Sequence, residues 1–419
     1  MMKTAARKQR AAIFNCLLLC YIKSIINLKI KEGRIEQMKS GKRILMLLLM
    51  FAMLLPLLGC DAEVTEPAIT NDAATGTQFT TQESDEEDKS DKPDATVEGE
   101  EELIASEDAW KGNVMMRMPI HQLTSRLEDV RTVRFMDNLE DAPADAVDLS
   151  ENGDGSVLGW MIGTDVYIAG NGGINGENAQ GLFYCLSELE VIAFGEAFHT
   201  EYTWSMADMF AGCASLKEVD VENLNTSSVY SMANMFSMSV PGDDGQFSLK
   251  PSVLTKLDVS GWDTSKVGEM SCMFYGCDQL TELDVSNWNT SNVESMYYMF
   301  AGCGKLVELD VSEWDTSAVI YSRGMFCECY SLERLDVSNW NVEEFRFTDD
   351  MFRDCRSLRF LDVSKWNTKS IAEAQRMFLD CPAQHTVDLS GWDLSIYMHG
   401  DFMNPGTLVN GVPWEELFG

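Results

Sequence analysis

Apolar positions in this chain recur with a period of 26 residues. Trp262, Trp288, Trp314, Trp340, Trp366 and Trp392 keep that interval, and so do Cys277, Cys303, Cys329, Cys355 and Cys381. The pairs Met273-Phe274, Met299-Phe300, Met325-Phe326, Met351-Phe352 and Met377-Phe378 share it. One unit reads Leu280-x-x-Leu283-Asp284-Val285-Ser286-x-Trp288-Asn289-Thr290-Ser291-x-Val293-x-x-Met296-x-x-Met299-Phe300-x-x-Cys303. The alternation at Leu283, Asp284, Val285 and Ser286 predicts a short half-buried strand. Asn289-Thr290-Ser291 supplies turn and N-cap chemistry. Val293, Met296, Met299, Phe300 and Cys303 fall at helical spacing, which predicts one face of a short helix or 3₁₀ segment.

A single unit cannot stand alone. Its apolar side chains contribute roughly 15–20 kcal/mol when buried, whereas ordering its backbone costs at least about 26 kcal/mol. Neighbouring units must therefore pack on one another, with strands about 4.8 Å apart. The fold class expected from this pattern is an α/β repeat solenoid, a leucine-rich-repeat-like stack of 26-residue strand–turn–short helix coils with a small β-rich N-terminal cap. The solenoid is expected over residues 183–395. Leu216 to Val221 keeps the strand pattern with Leu224 in place of Trp, and Leu189-Glu190-Val191-Ile192 reads as a degenerate earlier unit. Met235-Phe236 to Met273-Phe274 is longer than one period, which predicts a loop insertion at 237–249 around Pro241-Gly242-Asp243-Asp244-Gly245. Residues 108–182 lack the repeat. Val130 to Phe135, Ala146 to Ser150, Val157 to Ile162 and Val166 to Ala169 read as strands of the N-terminal cap. Residues 396–419 are expected to cap the other end.

The N-terminal third changes composition. Met38-Lys39-Ser40-Gly41-Lys42-Arg43 is a short basic start, followed by an apolar run from Ile44 to Leu58 and then Gly59-Cys60. That order predicts a secretory signal over 38–59 rather than a membrane span. Its ending resembles the bacterial lipobox, and the resemblance implies lipid attachment at Cys60, with acyl chains that hold the protein to a membrane. Residues 1–37 fit poorly in front of a signal, and translation is expected to begin at Met38. Residues 60–107 are an acidic, Ser/Thr-rich spacer with runs such as Ser84-Asp85-Glu86-Glu87-Asp88. They cannot bury enough apolar surface to order themselves.

The net charge of −35 makes nucleic acid a poor partner. Apolar content of 45% is ordinary, so a folded body is expected. The Asp series Asp258, Asp284, Asp310, Asp336 and Asp362, with Ser260, Ser286, Ser312, Ser338 and Ser364, lies on the strand face opposite the core-facing Leu and Val. Two readings stand. The row is either an acidic strip for cations or a basic partner, or a structural ladder in which each Asp accepts bonds from nearby backbone or Ser groups; its regularity favours the ladder. As a binding candidate it is joined by the loop residues Asp243 and Asp244. The Cys series would sit close enough across neighbouring units for disulfide geometry, but free, buried thiols are favoured. The Trp series is read as filling a corner of each unit rather than as an exposed stripe for sugars. Ser150-Glu151-Asn152-Gly153-Asp154-Gly155 lacks the closing Glu of a calcium loop. No cofactor and no metal are expected. The four His (His121, His199, His385, His399) belong to no nucleophile motif, and no enzyme activity is expected.

The Leu-Asp-Val-Ser, Trp-Asn-Thr-Ser and Met-Phe-x-x-Cys segments resemble those of the BspA-like leucine-rich-repeat bacterial surface proteins, over about residues 130–400. The resemblance implies a leucine-rich-repeat fold, a cell-surface location and adhesion. The expected function is a lipid-anchored surface protein on the extracellular face of a bacterial membrane. It would bind a host or neighbouring-cell surface protein or glycoprotein. The alternatives are a structural coat protein without a specific ligand and, less favoured, a carbohydrate-active enzyme. N-terminal mapping tests the leader: the precursor is expected to begin at Met38 and the membrane-bound form at a lipid-modified Cys60. A precursor starting at Met1, or an unmodified Cys60, contradicts the corresponding half.

Overall fold

A computed structural model describes residues 113–416, apart from 218, 242–246, 386, 390–391, 393–400, 410–411 and 415. The chain divides into two compact units, one of residues 1–14 with 105–419 and one of 15–104. All described residues belong to the first. The segments 1–37, 38–59 and 60–107, including Cys60, lie outside the described residues, as do the loop residues Asp243 and Asp244.

The N-terminal part of this unit is a five-stranded sheet. Its strands are β1 (Thr132–Met136), β2 (Val147–Asp148), β3 (Leu158–Ile162), β4 (Asp165–Ala169) and β6 (Val191–Ala193), in the order β2-β3-β4-β1-β6. β2, β3 and β4 run antiparallel, while β1 pairs in parallel with β4 and β6. The β3–β4 hairpin turns through Gly163 at φ 65, the positive value that a tight hairpin needs and glycine adopts without cost. Val133, Phe135, Leu149, Val166 and Ile168 are buried on its inner face, with Ile120 of the helix α1 (Ile120–Leu123). β5 (Ile174–Asn175) and β7 (Phe198–His199) form a separate parallel pair.

Beyond residue 178 each 26-residue unit contributes two segments. The Leu-x-x-Leu-Asp-Val segment is extended, but it forms only short pairings: β10 (Lys256–Leu257) with β11 (Glu282–Leu283), and the single bridge Glu308–Arg334. The Met-x-x-Met-Phe-x-x-Cys segment is a run of turns. Successive runs are joined by parallel bridges through Ser231, Glu269, Ser295, Tyr321, Phe347 and Glu373.

These turn runs overturn the expected fold class. From 183 to 367 no described residue is helical, and the strands fall into small sheets. The chain is therefore not an α/β repeat solenoid of strand–turn–short helix coils. Backbone hydrogen bonds show why. The N–H groups of Met270, Cys272, Phe274 and Gly276 donate to the carbonyls of Ser295, Tyr297, Met299 and Ala301 in the next unit, at 2.7–3.0 Å. The alternate N–H groups, of Met273, Tyr275 and Cys277, donate three residues back to Met270, Cys272 and Phe274, at 3.1–3.3 Å. A helix would spend every one of these donors internally. The geometry also requires left-handed residues. Cys272, Tyr298, Gly324, Asp350 and Arg376 share one register position, with φ between 49 and 61. Those values interrupt any right-handed helix.

Side chains lock the units together. The rings of Phe210, Phe236, Phe274, Phe300, Phe326, Phe352 and Phe378 stack in sequence, with centroids 4.9–5.8 Å apart. The indoles from Trp262 to Trp392 form a second ladder, at 5.9–6.4 Å. Each indole N–H also donates to a Val carbonyl of the preceding unit, as Trp288 does to Val259 (3.1 Å) and Trp314 to Val285 (3.0 Å). Thr264, Thr290 and Thr316 hydroxyls reach the other way, to carbonyls of Asn289, Asp315 and Asn341. At the C-terminal end Phe402, Met403 and Trp414 are buried beside Phe378 and Trp392.

The insertion is a hairpin of β8 (Ser239–Pro241) and β9 (Phe247–Leu249). It lies over the turn runs at two glycines. A side chain on Gly212 would meet Val240 at 2.4 Å, and one on Gly276 would meet Leu249 at 2.8 Å. Both glycines also have positive φ, so a side chain at either place would both meet the hairpin and strain the backbone.

The ladder generates a stability prediction. Phe300 is fully buried between Phe274 and Phe326. Phe300→Ala is expected to cost about 3–5 kcal/mol, because the rigid neighbours cannot close the cavity. Urea unfolding followed by tryptophan fluorescence measures it; a loss below about 1 kcal/mol contradicts a close-packed ladder.

Candidate binding face

The exposed side of the extended segments carries three columns of side chains. The first is the repeated Asp. Oδ1 of Asp258 accepts the N–H and the hydroxyl of Ser260, at 3.1 and 2.7 Å. The same pair of bonds joins Asp284 to Ser286, Asp310 to Ser312, Asp336 to Ser338 and Asp362 to Ser364. This is an Asx turn repeated in register, the local bonding by which Asp and Ser close a turn. The Ser hydroxyl and amide hold the carboxyls of Asp258 and Asp362 below their ordinary range. Each Ser thus holds the Asp two residues before it, and Ser364 is itself exposed beside Asp362.

The other two columns vary from unit to unit. Lys256, Glu282, Glu308, Arg334 and Phe360 occupy one. Thr255, Thr281, Val307, Glu333 and Arg359 occupy the next. Lys256 pairs with Glu282 at 3.0 Å, and Arg334 approaches Glu308 at 4.0 Å. Phe360 is 66% exposed and Val307 45%. Over three successive units these columns and the Asp row enclose a groove of about 790 Å³. It is lined by Glu282, Asp284, Glu308, Asp310, Arg334 and Asp336, together with Thr281, Val307, Glu333 and the three intervening Leu.

Three of the five Asp residues read from the sequence, Asp284, Asp310 and Asp336, are thus brought together in the groove. Asp258 and Asp362 stand in the flanking units. Glu282, Val307, Glu308, Glu333 and Arg334 escaped the sequence reading, which followed only the constant positions. Their signal was variation: exposed places within a constant frame change from one unit to the next.

The other candidate groups are structural. Cys277, Cys303, Cys329 and Cys355 are free and buried, and each thiol donates to a Phe carbonyl of the preceding unit at 3.1–3.3 Å. Burial pushes the Cys277 and Cys329 thiols up to about 12, out of the nucleophilic range. The Trp side chains from Trp262 to Trp366 are buried. Among the described residues no three His, Cys, Asp or Glu side chains are grouped to hold a metal ion. No described helix is long and apolar enough to cross a membrane.

A family model described as "Mycoplasma protein of unknown function, DUF285" matches residues 178–241, 244–359 and 307–406, together more than half of the chain. The chain belongs to this family. No curated protein and no solved structure shows a match to it. The expected membership of the BspA-like leucine-rich-repeat lipoproteins is corrected accordingly. The repeat that suggested it is that of the DUF285 family, and its helical half consists of turns. The first two matched stretches are separated at residues 242–243, which follow β8 in the sequence and lie outside the described residues.

One ionisable group at the left-handed position bears on stability. Asp208 has φ 58 and accepts the Gln180 amide at 3.5 Å, while Gln180 accepts from Arg117 at 2.6 Å. Burial raises the Asp208 carboxyl to about 6, against the lowering influence of Gln180, Asn234 and Arg117. A carboxyl raised on folding stabilises the protein below its unfolded value, near 4. That contribution is lost as pH rises through about 6. Asn234 fills the same register position at φ 56, so Asp208→Asn fits the backbone. The variant is expected to gain about 1–3 kcal/mol at pH 7 and to lose this part of the slope between pH 4 and 6. Unfolding curves across that range measure it; equal slopes in variant and parent exclude Asp208 as the source.

Proposed function

We propose that this chain is a surface-displayed binding protein that engages a protein or glycoprotein partner through the exposed side of its extended segments. The observation that carries the reading is the groove over residues 281–284, 307–310 and 333–336. There, exposed side chains vary between units while the frame beneath them stays constant. Variation at exposed places over a constant frame is what recognition requires, since the constant Leu, Val, Trp, Phe and Cys already account for packing. The leader pattern at 38–59 and the Gly59-Cys60 ending support display on the outer side of a bacterial membrane with lipid attachment at Cys60. The acidic spacer supports distance between the folded part and that membrane.

The test is capture on an array of host matrix proteins and surface glycoproteins. The parent chain is expected to bind at least one of them. A variant carrying Val307→Arg, Glu308→Lys and Glu333→Lys is expected to lose most of that signal while keeping its unfolding midpoint. Glu308 and Glu333 are exposed, and Val307 nearly half so, which makes the three changes tolerable to the fold. Capture unaffected by the variant rules out this face, and no capture of any kind favours a coat protein without a specific ligand.

A further inference from the structure

We infer that the turn runs carry a second binding site, in which a neutral sugar unit of a glycan packs on the Tyr321–Phe347 ring pair and bonds through its hydroxyl groups to Arg323 and Glu373. The site shares no residue with the groove and does not depend on it. Three successive units build it, joined by the bridges Tyr321–Phe347 and Phe347–Glu373. Ser322, Thr348 and Ala374 are buried. The pairs Tyr321 with Arg323, Phe347 with Asp349 and Glu373 with Gln375 therefore lie on the opposite, outer side. At about 4.8 Å per unit, the row from Tyr321 to Glu373 spans about 10 Å, the reach of a short glycan segment.

The repeat does not account for the two rings. At the bridge position of earlier units stand Ser205, Ser231, Glu269 and Ser295, all polar. Tyr321 and Phe347 break that run. Their rings stack at 5.4 Å, within 1° of parallel. Neither belongs to the buried core, and Tyr321 is 40% exposed. Core packing therefore does not require them. A ring already held by its neighbour loses little further freedom when a ligand lies on it, which lowers the cost of association. The C–H face of a pyranose is the kind of flat apolar surface that such a ring takes.

The polar half of the site is fixed before a ligand arrives. Arg323 Nε and Nη2 donate to Asp349 Oδ2 at 3.0 and 2.7 Å, and Nη2 also donates to Glu373 Oε2. The Gln375 N–H donates to Asp349 Oδ1 at 3.0 Å. The Arg323 side chain is still 24% exposed and that of Glu373 42%, so both can be reached from solvent. A donor and an acceptor thus stand at set places beside a flat apolar ring, and a sugar offers hydroxyl groups at its edge to meet them. Charge selects a neutral ligand. Burial, and then the charge of Asp349, raise the Glu373 carboxyl, and an anion would add to that repulsion. A cation would meet the Arg323 guanidinium. A hydroxyl group meets neither penalty.

The test uses the full chain, fluorescently labelled and held in detergent, on an array of neutral oligosaccharides with their sialylated and sulfated counterparts. The parent is expected to bind a neutral member. Tyr321→Ala is expected to bind it at least about tenfold more weakly at an unchanged unfolding midpoint. Tyr321→Phe, which keeps the ring, is expected to stay within about threefold of the parent. Failure of the parent to bind any neutral sugar, preference for the acidic ones, or equal binding by parent and Tyr321→Ala overturns the inference. So does a Tyr321→Phe variant as weak as Tyr321→Ala, since the ring would then not be what holds the sugar. A second measurement needs no variant. In the parent, the neutral oligosaccharide is expected to shield Tyr321 from nitration by tetranitromethane, read by peptide mass spectrometry against Tyr202, which is 50% exposed. Equal nitration of Tyr321 with and without the sugar overturns the inference as well. If Val307→Arg, Glu308→Lys and Glu333→Lys abolish sugar binding while Tyr321→Ala does not, the sugar lies in the groove; the groove reading then stands and this site falls.

Discussion

Half of the backbone donors in each turn run are given to the neighbouring unit, and the rest of the molecule follows from that division. A polypeptide run with the apolar spacing of Met270, Met273, Phe274 and Cys277 can satisfy its N–H groups internally as a helix. Here it alternates. Met270, Cys272, Phe274 and Gly276 donate outward, and Met273, Tyr275 and Cys277 donate three residues back. The alternation forces left-handed residues at two places in a unit, such as Cys272 and Gly276, and it demands an identical neighbour to receive the outward bonds. No unit is satisfied alone, and extra length is accommodated outside the turn run, as in the β8–β9 hairpin.

The side-chain ladders obey the same rule. Phe300 and Trp314 bury large rings against their counterparts one unit away, and the polar parts of ladder residues are answered across the same boundary. The Trp314 N–H finds the Val285 carbonyl, the Cys329 thiol the Phe300 carbonyl and the Thr290 hydroxyl the Asp315 carbonyl. A buried donor left without a partner costs about 1–3 kcal/mol, so a substitution at one ladder position is felt in two units. Constancy of these residues along the chain is therefore a packing requirement. It also leaves the exposed columns at 256, 282, 308, 334 and 360 free to differ, and the recognition face argued for above depends on that freedom.

Towards the C-terminal end, buried charge is paired. Asp349 and Asp350 are almost wholly buried. Arg323 donates to Asp349 at 2.7 Å and also pairs with Glu373, while Arg353 and Arg376 reach Asp350 at 3.0 and 2.7 Å. All but the Arg353–Asp350 contact cross between units, in the positions that Ser271, Cys272, Tyr297 and Tyr298 fill earlier in the chain. Removing one partner would strand a desolvated charge, a far larger cost than the pair's net worth. The ion network takes over, towards the C-terminal end, the joining of units that the β8–β9 hairpin assists nearer the N-terminus by covering Gly212 and Gly276.

Read alone, the amino-acid sequence determined the unit of 26 residues, the residues that must face inward, the place of the insertion and the strand segments before residue 170. Each is a matter of periodicity and polarity. It also contained, in Gly181, Asp208, Asn234, Gly324 and Asp350, the residue types that favour a left-handed backbone at one register position, a sign against a helix that the apolar spacing outweighed. Spacings of three and four residues suit a helix and a chain of turns equally, because both place those side chains on one side. Only the tertiary structure decided between them, since the deciding bonds run between residues one unit apart. It likewise decided that the Asp row is bonded to its own Ser residues, and that Glu282, Val307, Glu308, Glu333 and Arg334 share a groove with it. Proximity across units is a property of packing, and no window of the chain contains it.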